Sequence, residues 1–62
     1  MMAGIGMRQG EFTRVWAEPV PDSYKWQVCG TLRTTGETVV LSQHGSREDA
    51  LRGARYRRAA NH

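Results

Sequence analysis

Cys29 is the only cysteine in a chain of 62 residues, and this closes the two routes by which chains this short most often stabilise themselves. An intrachain disulfide needs a second thiol. Cys29, His44 and His62 have none of the spacings of a zinc site, so no metal and no cofactor is expected. A chain of this size buries only about 60% of the surface that its unfolded form exposes, which leaves a thin stability margin. Association with a second copy is the remaining common route, and a homodimer at micromolar concentration is expected. A lone thiol also suits a reducing compartment, so the expected location is cytoplasmic.

Punctuation divides the chain into short segments. "EFTRVWAE" is rich in aromatic and β-branched residues and stops at Pro19. Pro19, Pro21, Asp22 and Ser23 make a turn-rich loop that cannot continue a strand. "YKWQVCGTL" alternates Tyr24, Trp26 and Val28 with Lys25, Gln27 and Cys29, the pattern of a half-buried strand. "RTTGE" supplies a turn in which Gly36 is free to take a positive φ. "TVVLSQH" reads as a third strand, with Val39 and Leu41 on one face and Val40 and Ser42 on the other. Three strands in up-and-down order predict an antiparallel meander.

A helix is predicted from about residue 47 to 60. Ser46 fits its N-cap, and Asp49 three residues on resembles a capping box. Glu48 and Asp49 lie at the positive end of the helix dipole and Arg55, Arg57 and Arg58 at the negative end. The apolar stripe is narrow, with only Ala50, Leu51 and Ala54, so the helix must lie close on the sheet. Trp26, Val28, Val39 and Leu41 are expected beneath it. The first strand contributes either Phe12 and Trp16 or Val15 and Ala17. The fold class is therefore α+β, a three-stranded antiparallel sheet with one C-terminal helix on one face (βββα). It forms a single domain over residues 11–62, after a flexible lead-in over residues 1–10. That lead-in carries no charge before Arg8 and no continuous apolar run, so neither a secretion signal nor a membrane span is expected. Met7 is a second candidate start.

Charge is unevenly placed. In residues 1–45, Arg8, Arg14, Lys25 and Arg33 balance Glu11, Glu18, Asp22 and Glu37, so the whole net charge of +3 lies in residues 46–62. Such polarisation bears on partners rather than on fold. Catalysis is not expected. Ser42, His44 and Asp49 fall close together, but no nucleophile elbow or oxyanion-hole glycines accompany them. No His or second Cys flanks Cys29 to lower its pKa, so it reads as a packed strand residue.

From Phe12 to about residue 58 the layout resembles the YegP-like family of small proteins. The residues that carry the resemblance are the aromatic first strand, "YKWQV", "GETVVLSQ" and the Ser-led helix beginning "GSREDA". It implies a strand–turn–strand–helix unit, used in tandem or in paired subunits, and no defined activity. Where that family has an aromatic before the helix, this chain has His44-Gly45. "KWQVCGTLRTTGE" followed by a helix is also similar in outline to the arm-binding domains of tyrosine integrases, whose sheet enters the DNA major groove. Those strands are richer in basic residues than the ones here.

The expected function is thus a small non-enzymatic binding module with no small-molecule substrate and no membrane role. Nucleic acid is the leading partner, contacted through Arg52, Arg55, Arg57, Arg58, Lys25 and Arg33, with Trp16 as a stacking platform. The alternative is a homodimeric protein-interaction or inhibitor module, of a phage-accessory kind, docking on an acidic surface of a larger protein.

Overall fold

A computed structural model describes residues 10–61. All of the expected lead-in except Gly10 lies outside that range. Strand β1 (Phe12–Pro19), β2 (Trp26–Leu32) and β3 (Thr38–His44) precede a helix α1 (Arg47–Ala60). The sheet order is β1-β2-β3 with both pairings antiparallel, so β1 and β3 are its edges. This is the expected βββα meander.

The turn residues act as their chemistry requires. Gly36 sits at φ +80° between β2 and β3, where its N–H donates to the Leu32 carbonyl at 2.8 Å. Asp22 takes a left-handed φ of 58° in the β1–β2 loop, a conformation that Asp tolerates better than most residues. At the helix start, the Ser46 hydroxyl accepts from the Asp49 N–H at 3.2 Å. The Asp49 carboxylate does not complete a capping box and turns to Arg52 instead.

Val15, Val28, Ala50 and Ala54 form the core, and Phe12, Ala17, Trp26 and Leu41 pack around it. Ala50 and Ala54 are fully buried, so α1 touches the sheet through methyl groups. Gly53 completes this close approach. A Cβ there would meet the His44 ring at 3.2 Å and Val28 at 3.5 Å. The helix cost of a mid-helix glycine, about 1 kcal/mol relative to alanine, is thereby exchanged for contact with β3.

Two bulges decide which side chains reach the helix. Pairing slips between Phe12 and Arg14, so Phe12 and Val15 face α1 together, although three residues apart. This resolves the first-strand alternative toward Val15 and Ala17, joined by Phe12, and sends Trp16 to the other face. A second slip lies opposite Val28 and Cys29, which pair with Ser42 and Val40. The extra residue is Leu41. As a result Ser42 shares the helix-facing side with Val28, correcting the simple alternation that put Ser42 beside Val40. A bulge adds one residue to one strand and so reverses the in–out pattern beyond it. Tyr24 also departs from the alternation. It precedes β2 and is 80% exposed.

Candidate nucleic-acid interface

The sheet face away from α1 carries Arg14, Trp16 and Glu18 on β1, with Gln27, Cys29 and Thr31 beside them on β2. Trp16 is not an open platform. The Arg14 guanidinium lies 4.8 Å from its ring centroid, and its indole N–H donates to a Glu18 carboxylate oxygen at 2.8 Å. The other Glu18 oxygen accepts from Gln27 at 2.8 Å. These two hydrogen bonds, the Trp16 one foremost, hold the Glu18 carboxyl below its ordinary pKa. Any base stacking on Trp16 must first displace Arg14. The other large indole, Trp26, faces α1, with the Arg47 guanidinium 6.0 Å from its ring centroid.

Cys29 is 1% exposed although it lies on the face that no helix covers. Its row neighbours are Trp16 and Val40, so side chains of the sheet itself close over it. Burial, and then the nearby Glu18 charge, push its thiol pKa up, which disfavours the reactive thiolate. A thiol probe is therefore expected to label the folded chain far more slowly than the denatured one. Trp16→Ala should restore most of the rate while circular dichroism shows the fold intact. Equal rates in folded and denatured wild type would place Cys29 on the surface.

The basic residues fall into three groups. Arg52 and Arg55 are exposed on the solvent side of α1. Arg52 is held only by an exposed ion pair with Asp49 at 3.2 Å, of a kind worth little in water. Arg57 is half-buried, on the same helix stripe as Ala50 and Ala54. Lys25 lies by itself in the β1–β2 loop, where its backbone N–H donates to the Ser23 hydroxyl.

The third group converges on the first half of β1. The Arg33 Nε donates to the Gly10 carbonyl at 2.7 Å and its Nη2 to the Phe12 carbonyl at 3.1 Å. The Arg58 Nε donates to the Val15 carbonyl at 2.9 Å. Arg14, in the same stretch of β1, turns to the sheet face away from α1, with its guanidinium over Trp16. Arg33 and Arg58, expected to reach for a ligand, are thus part-committed to the backbone, which fixes their stems and leaves remaining guanidinium N–H groups to donate. The placement of Arg14 over Trp16 was not anticipated. The signal for it was its position two residues before Trp16 on the same strand, which places cation and ring on one face.

Ser42 and His44 also come together, with the Ser42 Oγ 2.9 Å from the His44 Nε2. His44, Asp49, Arg52, Gly53 and Tyr56 line a shallow depression between β3 and α1. Asp49 hydrogen-bonds Arg52, and no bond from Asp49 to the imidazole joins the three into a relay among the described residues. Among the described residues there is no group of three or more potential metal ligands and no helix long and apolar enough to cross a membrane.

No family model, curated protein or solved structure matches this chain. The two resemblances therefore rest on their quoted motifs alone.

Proposed function

We propose that this domain binds nucleic acid through the basic corner where the end of α1 meets the start of β1. The observation that supports this reading is the convergence of Arg33 and Arg58 on neighbouring β1 carbonyls. Arg55 and Arg57 occupy the same end of α1 as Arg58, and Arg14 is exposed on the other face of the same stretch of β1. Guanidinium groups already hydrogen-bonded to backbone carbonyls are pre-oriented, so less side-chain entropy is lost when they engage phosphate. The contact is to backbone phosphate and not to bases, because Trp16 is closed by Arg14 and Glu18. Binding should therefore depend strongly on salt and weakly on sequence.

Each phosphate neutralised on duplex DNA contributes roughly 0.9 to the slope of log affinity against log salt. Replacing Arg55 and Arg57 by Gln leaves the backbone-bonded Arg33 and Arg58 in place. The double variant should flatten that slope by about two and retain the wild-type circular dichroism spectrum. Undetectable binding at low salt, or an unchanged slope in the folded variant, would sink the reading. The arginines would then be a solvated helix end, and an acidic protein surface would become the favoured partner.

A further inference from the structure

The two edges of the sheet are treated in opposite ways. On β1, Asn61 accepts from the Phe12 N–H at 3.1 Å and donates to the Phe12 carbonyl at 2.7 Å. Arg33 donates to that same carbonyl and Arg58 to Val15. The helix also leans toward β1, packing against it more than against β3. Side chains thus occupy outward backbone groups in the first half of the β1 edge, at Phe12 and Val15.

On β3, no comparable contact to the backbone of Thr38–His44 occurs among the described residues. The strand itself, "TVVLSQH", contains no charged residue, no proline and no glycine. Charge and proline are two of the devices with which natural edge strands avoid pairing; the one such device in β3 is the bulge at Leu41, which leaves Thr38–Val40 on one side of it. Val40, in the middle of β3, is 54% exposed, and Tyr56, on the β3-facing side of α1, is 75% exposed.

We infer that the β3 edge is a self-association surface, at which a second copy of this chain adds its own β3 antiparallel to form one continuous six-stranded sheet. A two-fold axis through an antiparallel strand pair is self-complementary, since each residue near the centre meets its own neighbourhood in the partner. Self-pairing of a neutral strand sets no like charges opposite one another. Arg33 and Arg58 lie on the far edge of each sheet, and Arg52, which lines the depression beside β3, is paired with Asp49. A pairing centred near Val40 buries both copies of that residue. It also continues the row Trp16–Cys29–Val40 onto the partner. The open sheet face is the poorer candidate, because its one large aromatic is already packed under Arg14. This inference is independent of the nucleic-acid reading.

The test uses the full chain. Light scattering across a concentration series should rise from the 7.0 kDa mass of one chain to twice that value. Over the same series, hydrogen exchange should show β3 amides gaining protection while those of β1 do not change. Val40→Lys places two lysines opposite one another at the axis and should weaken dimerisation about tenfold or more. The hydrogen-exchange series needs no variant and so decides the matter even if the variant does not fold. A mass of one chain at every concentration would overturn the proposal. So would a dimer whose β3 amides exchange freely. Protection of β3 that is independent of concentration in a monomer would show that another part of the same chain covers the edge, and would overturn it as well.

Discussion

Ala54→Leu should lower the unfolding free energy by about 3 kcal/mol, the upper end of what overpacking a close-packed site costs. The whole domain has little to lose, since at roughly 0.05–0.15 kcal/mol per residue its stability is on the order of 3–9 kcal/mol. The reason for choosing this position is geometric. Ala54 is fully buried, and the layer between α1 and the sheet is only as thick as alanine methyls and Val28 permit. An isobutyl group has no empty volume to enter, because Val15, Val28 and Ala50 already surround the site. The helix must therefore lift, which also breaks the Arg58 and Asn61 bonds to β1. A domain of this size shifts its melting temperature by about 4–8 °C per kcal/mol, so thermal unfolding should fall by more than about 10 °C. Ala59→Leu, on an exposed position of the same helix, should cost little and serves as the control. A shift below about 4 °C for Ala54→Leu would mean that the layer is loose and that the alanines are not what sets its thickness.

Asn61→Ala is expected to have the second-largest effect, about 2 kcal/mol, from a residue outside every regular element. The Asn61 amide closes a two-bond ring with the backbone of Phe12, accepting at 3.1 Å and donating at 2.7 Å. Its own N–H also ends the helix by donating to the Arg58 carbonyl at 3.1 Å. On truncation the Phe12 carbonyl keeps Arg33, whereas the half-buried Phe12 N–H loses its acceptor. An orphaned buried donor costs about 1–3 kcal/mol, more than the net worth of the bond itself. Asn61→Asp should be no better at neutral pH. It keeps an acceptor for the Phe12 N–H but sets a second oxygen against the Phe12 carbonyl. Both variants should lower the melting temperature by about 8 °C or more and accelerate exchange at Phe12. If both melt with wild type, Asn61 is a bystander and the β1 edge is held by Arg58 and Arg33 alone.

Local pattern decided the inventory of elements. Pro19 and Pro21 end one segment, Gly36 turns the next, and Ser46 with Glu48 and Asp49 starts a helix whose charges suit its dipole. Each of these is a property of a few consecutive residues, so β3 (Thr38–His44) and α1 (Arg47–Ala60) fall where the sequence places them. The polarisation of charge toward residues 46–62 is likewise a fact of sequence.

Tertiary structure alone decided the faces and the partners. A two-residue alternation gives relative facing within a strand, but one inserted residue reverses it, and nothing in "EFTRVWAE" or "TVVLSQH" marks Thr13 or Leu41 as that residue. The choice follows from what each bulge brings to α1: Phe12 with Val15 in one strand, and Leu41 in the other. Cys29 was legible as a packed residue, yet it is buried on the sheet face away from the helix, where the register sets it opposite Trp16. The roles of Arg58 and Asn61 are beyond any local pattern, since their partners lie 43 and 49 residues away in the chain. A helix end reads from sequence as solvated charge. Whether it passes over an edge strand with unsatisfied carbonyls depends on the crossing of helix and sheet, which the buried alanines and Gly53 permit but only the packed structure fixes.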